Sequence, residues 1–434
     1  MLLMANESNA PAPNIVEAWS WSRSQLARWQ LAELNRQFAA ILPLNRFYRE
    51  KFGCDSLALA DLGELTSLPL TAKDELVQSV DDSGFSRHQT YAPYRYSRLH
   101  RTSGTKGNPL MILDTIDDWR WWSTTWQHVL TAADVSQHDR VFLAFSFGPF
   151  IGFWSAHEAC CERGAMVIPG GGINSLARIE LMRQAHATVI ACTPTYAMHL
   201  HEVAAQHAID LRTIGIRRVL VAGEPGGSIP AVRERIERAW GAQVIDHCGA
   251  TEIGPWGFGW PDGGGVHVIE TSFIPELIPF ANPDSKDTTL FELVLTSLGR
   301  FGAPVIRYRT GDLVRSTNRA SIRCSFLWLD GGIVGRADDM LIVRGVNIFP
   351  SSVEAILREF SELHEYRVTL ARAGELDEIA IEVEAADHLL EPIRNRLLTG
   401  VGLRVNVSQV PPGSLPRSEG KSRRWLDKRA RSTF

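Results

Sequence analysis

Between residues 117 and 246, short apolar segments alternate with amphipathic ones, and this alternation constrains the fold more than any other feature of the chain. Short apolar strands separated by helices favour a parallel sheet with helices packed on its faces. The predicted strands are 140–145, 165–168, 188–191, 218–221 and 243–246. The predicted helices are 117–133, 152–163, 174–186, 196–207 and 229–240.

The pattern changes near residue 260 and again near residue 335. Beyond 260, turns without helices separate the predicted strands 290–296 and 322–329, which indicates an antiparallel or barrel-like section. Beyond 335–339, the pattern predicts a small α+β domain with strands at 340–343, 366–371, 378–384 and 403–407 and helices at 351–360 and 389–398.

We therefore expect an α/β protein of two domains. The large N-terminal domain, 1–337, would contain α/β sheet subdomains and a β-rich section, and 338–434 would form a small, mobile α+β C-terminal domain.

Composition excludes several classes of protein. The chain has 434 residues, 44% of them hydrophobic, and a formal net charge of −4. These values are typical of a soluble globular protein and do not favour nucleic acid or an acidic membrane as a partner.

The six cysteines include no Cys-x-x-Cys pair, which is typical of reduced thiols. No segment matches a membrane helix or a secretion signal, so we expect a cytoplasmic protein. The oligomeric state stays open, with a homodimer as one option.

A glycine-rich segment at 101–109 has the composition of a polyphosphate-binding loop. Its glycines allow backbone N–H groups to approach oxygen atoms, its hydroxyls donate further hydrogen bonds, and its lysine supplies positive charge. The spacing differs from the Walker pattern, and a plain turn is the alternative. The residues concerned are Ser103, Gly104, Thr105, Lys106 and Gly107.

Two further segments carry a carboxylate in a setting that suits a nucleotide. Asp246 to Glu252 directly follows a predicted strand, where open α/β sheets bind ligands. There Thr251 could hold a phosphate oxygen and Glu252 could hold Mg²⁺, although a helix cap and its turn fit equally well. Asp312 lies at a glycine turn in the segment 308–313, where it could accept both hydroxyls of a ribose or simply stabilise the turn.

Two more segments lie near the predicted small domain. Residues 335–339 lead into 344–350 and join regions of different composition, as a hinge or an ordinary linker would. The segment 416–424 carries Lys421 beside a glycine. This lysine could enter a site transiently and neutralise charge on phosphate, or it could belong to a solvated basic tail.

The order and spacing of these five motifs resemble the adenylate-forming superfamily, which contains acyl-CoA synthetases and peptide-synthetase adenylation domains. The segments 339–350 and 415–421 are most similar to the phenylacetate-CoA ligase branch. The resemblance extends from about residue 70 to about residue 430.

The resemblance implies an AMP-forming acid–thiol ligase. ATP and an acid would give an acyl-adenylate and pyrophosphate, and coenzyme A would then give a thioester and AMP, with Mg²⁺ on the phosphates. It also implies these roles for individual residues: Ser103 to Gly107 for the β- and γ-phosphates, Thr251 for the α-phosphate, Glu252 for Mg²⁺, Asp312 and Arg336 for the ribose, Gly223, Glu224 and Pro225 on the adenine side, Lys421 for adenylation, and Asp338 for the hinge.

The chain departs from the family at two places. Cys248, before Gly249, replaces an aromatic residue that usually stacks on adenine, which leaves open how the base is held. Some members of the branch also hold a structural zinc. Here His267 and Cys324 could serve as ligands, but Trp260 occupies the position expected for a first cysteine. Two ligands do not close a tetrahedral site, so we expect no zinc.

Aromatic residues dominate the segments where the family binds its acid, which favours a small aromatic acid. Each of these residues could equally be an ordinary core residue. A second reading is an adenylating enzyme that passes its acyl group to a carrier-protein phosphopantetheine or an amine. A nucleotide-binding regulator without turnover is disfavoured because the lysine and both carboxylates are present. The predicted pocket residues are Phe147, Phe150, Trp154, His247, Gly254 and Trp256.

Overall fold

The computed structural model describes residues 13–78, 84–102, 109–280, 289–317, 323–337, 339, 341–343, 346–373, 376–417 and 424–429. Several residues with predicted roles lie outside the described residues: Ser103, Gly104, Thr105, Lys106, Gly107, Asp338 and Lys421. Among the described residues, no helix combines the length and the apolar character needed to cross a membrane.

The N-terminal region is helical and packs against the sheet of the large domain. Its helices are α1 (Ile15–Ala18), α2 (Arg23–Ile41), α3 (Arg46–Phe52) and α4 (Lys73–Gln78). A capping box between Ser22 and Gln25 begins α2. Phe38 of α2 lies in a buried cluster with Ile274 and Ile306, so apolar packing fixes this helix to distant parts of the chain.

A short hairpin leads from the helices to the sheet. Strands β1 (Arg98–Arg101) and β2 (Met111–Asp114) pair antiparallel, and the glycine-rich segment connects them in the sequence. Thr115 follows directly and caps α5 (Ile116–Ala132) through a capping box with Asp118. Asp114, the last residue of β2, is fully buried.

Parallel strands form one half of the main sheet, as the alternating pattern predicts. The strands are β3 (Arg140–Leu143), β4 (Met166–Pro169), β5 (Val189–Cys192), β6 (Arg218–Ala222) and β7 (Gln243–Ala250), and the helices are α6 (Ile151–Glu162), α7 (Ser175–Gln184), α8 (Pro194–Gln206) and α9 (Pro230–Trp240). The strands pair in the order β4, β3, β5, β6, β7. Their carboxyl ends therefore share one edge, which is where ligands bind in such sheets.

Antiparallel strands extend the same sheet beyond β7. They are β8 (Gly254–Phe258), β9 (Gly265–Val268), β10 (Phe273–Pro279), β11 (Leu290–Ser297), β12 (Tyr308–Ser316) and β13 (Trp328–Arg336). The order β8, β9, β13, β12, β11, β10 completes an eleven-stranded sheet of described residues. The second half is thus antiparallel, because turns without helices let neighbouring strands reverse direction.

The strand predicted at 322–329 begins later than predicted, and only the last two of its described residues, Trp328 and Leu329, lie in a strand. Residues 323–327 form no strand, and β13 begins at Trp328. Cys324 and Phe326 are buried by packing into the main core and not by sheet pairing, which explains the strand-like apolar pattern. The later strand brings Arg336 opposite Asp312 of β12.

The C-terminal region has a core of its own. Its elements are β14 (Leu341–Val343), β15 (Val346–Ile348), α10 (Pro350–Arg358), β16 (Tyr366–Ala373), β17 (Leu376–Val383), α11 (Leu390–Val401), β18 (Asn406–Gln409) and β19 (Trp425–Asp427). Four strands pair in the order β18, β17, β16, β19, and buried Val368, Ile381 and Ile393 belong to a separate cluster. The prediction of an α/β fold with a small α+β domain is confirmed, while the boundary at 337/338 stays a prediction.

Candidate active site

Glu252 lies at the centre of the candidate site, in the turn that joins β7 to β8. Its side chain is buried, and Oε1 accepts hydrogen bonds from Lys73 Nζ at 2.9 Å and from the Tyr308 hydroxyl at 3.0 Å. Burial acts to raise the pKa of Glu252, but Lys73 and the hydrogen bonds outweigh it and hold that pKa below its usual value. The carboxylate is therefore ionised at neutral pH.

Lys73 reaches Glu252 because the segment before α4 is tied to β12. The backbone N–H of Thr71 donates to the Arg307 carbonyl at 2.8 Å, and the Arg309 N–H donates to the Thr71 carbonyl at 2.9 Å. These bonds form a parallel bridge between Thr71 and Tyr308. The bridge places Lys73 and Tyr308 on the same carboxylate.

Asp312 and Arg336 form a second polar pair on adjacent strands. They are register partners in β12 and β13, and Arg336 Nη1 donates to Asp312 Oδ1 at 2.8 Å. Gly311 adopts a φ of 73°, a left-handed conformation that favours glycine, directly before Asp312. Asp312 lies on the same strand as Tyr308, whose hydroxyl donates to Glu252. Strand β12 thus connects the Glu252 carboxylate with the Asp312–Arg336 pair.

The chemistry of Glu252 fits Mg²⁺. Magnesium prefers carboxylate oxygens and is bound by one or two carboxylates plus substrate phosphates, and Glu252 supplies one buried, ionised carboxylate. Nowhere in the described ranges do three or more His, Cys, Asp or Glu residues gather in a way that could hold a metal ion. A magnesium ion here would be held by Glu252 together with substrate phosphates and water.

The segment on the predicted adenine side lies at the carboxyl end of β6. Gly223 adopts a φ of 91°, and the Glu224 carboxylate accepts a hydrogen bond from the Thr195 N–H at 2.7 Å. Burial raises the pKa of Glu224, while the bonds from Thr195 act against that rise. Pro225 is exposed beside it.

Cys248 and Gly249 occupy the carboxyl end of the neighbouring strand β7. Cys248 is buried and burial raises the pKa of its thiol well above the usual value, so it is a small neutral side chain there. Gly249 is exposed. Asp246, two residues before Cys248, accepts a hydrogen bond from the Ser228 hydroxyl at 2.5 Å, and burial raises its pKa to about 6.

The residues predicted to line the acid pocket fall into two groups. Phe147, with a φ of 47°, packs edge-on against Trp154 with ring centroids 5.1 Å apart, while Trp154 is 41% exposed and Phe150 is partly buried. The second group is buried at β7 and β8 and contains His247, Gly254 and Trp256. Their role in binding an acid stays a prediction.

Trp126 of α5 connects the two groups. Its ring centroid lies 4.2 Å from that of His247, and its Nε1 donates to the Ser155 hydroxyl at 3.1 Å. Ser155 follows Trp154 in α6. Helices α5 and α6 therefore hold the aromatic segment 147–154 next to the end of β7.

Three residues that bond Glu252 had no predicted role: Lys73, Arg300 and Tyr308. Lys73 and Arg300 are 179 and 48 residues away from Glu252 in the sequence, and neither lies in a recognisable motif. Tyr308 does begin the motif that contains Asp312, so its position in that motif was the one available signal.

Known proteins resemble the chain over most of its length. Phenylacetate-coenzyme A ligase from Pseudomonas putida is 32% identical over 414 residues, which cover 89% of this chain and 90% of the relative. The enzyme of the same name from Thermus thermophilus is 29% identical, covering 94% of this chain and 97% of that one. The chain belongs to the phenylacetate-CoA ligase branch of the adenylate-forming superfamily.

Membership of this branch extends to both domains. A family model described as the AMP-binding enzyme C-terminal domain matches residues 345–429. A crystal structure of 2-hydroxyisobutyryl-CoA ligase in the postadenylation state, in complex with R3-HIB-AMP, is 26% identical with a TM-score of 0.87, covering 97% of this chain and 94% of that one. The same ligase in the thioesterification state, with 2-HIB-AMP and CoA, gives a TM-score of 0.69. The domain arrangement of this chain is therefore closer to the postadenylation state.

In this member of the branch, the region that could hold zinc in other members contains packed aromatic side chains. His267 Nδ1 lies 2.9 Å from the Phe326 carbonyl oxygen, and the Trp260 ring centroid lies 6.4 Å from that of His267. Burial lowers the pKa of His267 to about 4, so its ring is neutral. Cys324 is buried, and burial raises the pKa of its thiol to about 12. The expectation of no zinc stays a prediction.

Proposed function

We propose that the protein is an AMP-forming acyl-CoA ligase that acts on a small aromatic acid. The acid carboxylate would attack the α-phosphate of ATP, releasing pyrophosphate, and the thiol of coenzyme A would then displace AMP. The observation that carries the proposal is the buried, ionised Glu252, which bonds Lys73 and Tyr308, with the Asp312–Arg336 pair on the strand that carries Tyr308. The relatives named phenylacetate-coenzyme A ligase support both the reaction and the acid.

Each polar group would take a part that its chemistry suits. Thr251 would contact the α-phosphate and Asp312 would accept the ribose hydroxyls, with Arg336 beside it. Glu252 would hold Mg²⁺, which when bound neutralises charge on the phosphates. Gly223, Glu224 and Pro225 would face the adenine.

Contacts between the domains support a role for the small domain in the first step. Arg417 Nε lies 3.4 Å from Glu202 Oε2 of α8, and Arg235 Nη1 of α9 donates to the Leu363 carbonyl at 3.1 Å. We propose that Asp338 is the pivot about which this domain turns between the two steps. The TM-scores of 0.87 and 0.69 against two states of one ligase support a change of arrangement between the steps in that relative.

His247 favours a second candidate, a ligase for a hydroxylated acid. Its Nδ1 lies 2.8 Å from the Gly257 carbonyl oxygen, which only accepts, so Nδ1 carries the proton. Burial lowers the pKa of His247 to about 4, and the neutral ring keeps a lone pair on Nε2. A Cβ atom at Gly249 would lie 3.5 Å from that nitrogen, so it points towards the site. A hydroxyl on the acid would be its natural donor.

A panel of acids tests the reaction and the acceptor. Pyrophosphate release would be measured with phenylacetate, benzoate, mandelate, isobutyrate and 2-hydroxyisobutyrate, each with and without coenzyme A. We expect release with at least one acid, and formation of its CoA thioester. If the protein releases no pyrophosphate from ATP with any acid of the panel, the proposed function is wrong. Release without a CoA thioester would favour transfer to a carrier protein or an amine.

His247→Phe tests the second candidate. Phenylalanine keeps a ring against Trp126 but removes both ring nitrogens, the acceptor at Nε2 and the Nδ1 donor to the Gly257 carbonyl. We expect KM for the hydroxylated acid to rise about tenfold, the effect of one lost hydrogen bond to a buried group, while KM for its unhydroxylated partner stays the same. Mandelate against phenylacetate and 2-hydroxyisobutyrate against isobutyrate are the matched pairs. An equal change within both pairs would rule out a specific contact.

A further inference from the structure

Arg300 is a buried arginine that connects the end of β2 with the turn after β7. It lies between β11 and β12, and its side chain is fully buried. Its Nε donates to Asp114 Oδ1 at 2.8 Å, and its Nη1 donates to the carbonyl oxygens of Thr251 and Glu252, each at 3.1 Å. One guanidinium group therefore joins the end of β2 to the turn that carries Thr251 and Glu252.

The backbone around Arg300 is itself fixed. Gly299 has a φ of 99°, and its N–H donates to Gln37 Oε1 at 2.9 Å. On the other side, the Gly302 N–H donates to Asp118 Oδ1 at 3.0 Å. Helices α2 and α5 thus hold the residues on both sides of Arg300, which restricts the position of its guanidinium group.

Burying the charges of Arg300 and Asp114 costs desolvation free energy, and a contribution to folding stability does not by itself explain why this ion pair is present. Arg300 and Asp114 are both fully buried, and the guanidinium also lies over the Trp122 ring at 5.1 Å. Burial raises the pKa of Asp114, and Arg300 opposes that rise. Apolar side chains of similar size often replace buried ion pairs without loss of stability. The fork of Arg300, however, bonds one carboxylate oxygen and two carbonyl oxygens at once.

We propose that Arg300, held by Asp114, is a positioning residue that aims the Thr251 hydroxyl and the Glu252 carboxylate at the phosphates of ATP. Two consecutive carbonyls directed at one nitrogen fix two consecutive peptide planes, and these planes set the directions of both side chains. Lys73 and Tyr308 hold the Glu252 carboxylate at its other end. This inference rests on the proposed function.

Arg300→Lys tests the inference without removing the buried charge. Lysine can still pair with Asp114, but a single ammonium cannot reproduce the fork to both carbonyls. We expect pyrophosphate release to slow by about 10- to 100-fold, as for a displacement of catalytic groups by about 1 Å. KM for Mg·ATP should rise and KM for the acid should not. Thioester formation from a synthetic acyl-adenylate should fall less, because that step keeps the α-phosphate at Thr251 but needs neither the Mg²⁺ at Glu252 nor the β- and γ-phosphates.

Arg217→Lys is the matched control. Arg217 also bonds a buried carboxylate, Asp139, and a carbonyl, that of Asp134. It lies at the amino end of β6, the opposite edge of the sheet from the candidate site. We expect this control to leave both half-reactions unchanged.

Hydrogen exchange provides a readout that does not depend on activity. In Arg300→Lys, the amides of 251–254 should exchange at least tenfold faster than in the wild type, while the rest of the sheet stays protected. Unchanged exchange at 251–254, or an equal loss in both half-reactions, would overturn the inference. If the wild type activates no acid, the proposed function fails, and the exchange data still decide whether Arg300 fixes the turn. Asp114→Asn, which keeps an acceptor for Arg300, serves if the lysine variant does not fold.

Discussion

Replacing Lys421 by alanine is expected to slow acyl-adenylate formation by about 10²- to 10³-fold, because the lysine would stabilise charge that develops between the acid carboxylate and the α-phosphate. Thioester formation from preformed acyl-adenylate should be unchanged, since the small domain would then have turned and withdrawn this side chain. Pyrophosphate release and thioester formation, measured separately, check the two steps.

Lys421 itself lies outside the described residues, but the chain on either side of it is anchored. Arg417 Nη2 pairs with Glu384 Oε2 at 2.8 Å, and Arg424 Nε pairs with buried Glu365 Oε1 at 2.5 Å. Each arginine also approaches α8 of the large domain, through Glu202 and Thr195 respectively. The described residues that flank the segment, Arg417 and Arg424, are therefore both tied to the small domain and both lie against the large one.

Lys428→Ala is the matched control for Lys421→Ala. Lys428 is an exposed lysine in the same C-terminal segment, so its loss removes the same charge from the chain without removing a residue from the site. We expect no change in either step. Equal losses in both half-reactions of Lys421→Ala would contradict a role confined to adenylation.

The central parallel strands follow from the sequence because their pattern is local. Predicted strand 188–191 and observed Val189–Cys192 differ by one residue at each end, as do predicted 165–168 and observed Met166–Pro169. An apolar run of this length between amphipathic helices is compatible with few structures other than a buried strand. The predicted start of strand 322–329 was wrong because Phe326 is apolar for a different reason, which is its burial in the main core.

The site could be predicted only where a motif carries its residues. Glu252 and Asp312 lie in short glycine-containing segments whose composition points to nucleotide chemistry. Lys73 and Arg300 do not, because their positions depend on pairing that only the folded chain creates. The Thr71–Tyr308 bridge brings Lys73 to Glu252, and Arg300 meets Asp114 across 186 residues of sequence. Nothing local distinguishes these two cations from the many others in the chain.

Replacing Glu252 by glutamine is expected to slow adenylation by about 100-fold, because the amide keeps the shape of the side chain but loses the charge that would hold Mg²⁺. Tyr308 can still donate to the amide oxygen, so the local fold is retained. Thioester formation from preformed acyl-adenylate should be unaffected. Calorimetric titration with ATP supplies a second readout: Mg²⁺ should tighten ATP binding to the wild type and have little effect on the variant.

Glu292→Gln controls for the loss of a buried charge. Glu292 is buried on β11 and pairs with Arg309, as Glu252 pairs with Lys73, but it has no predicted contact with ATP. We expect this variant to keep the effect of Mg²⁺ on ATP binding. If both glutamine variants lose it, the change reflects a general weakening of the sheet. If neither does, Glu252 is not the magnesium carboxylate, and its bonds to Lys73 and Tyr308 serve only to hold the turn after β7 in place.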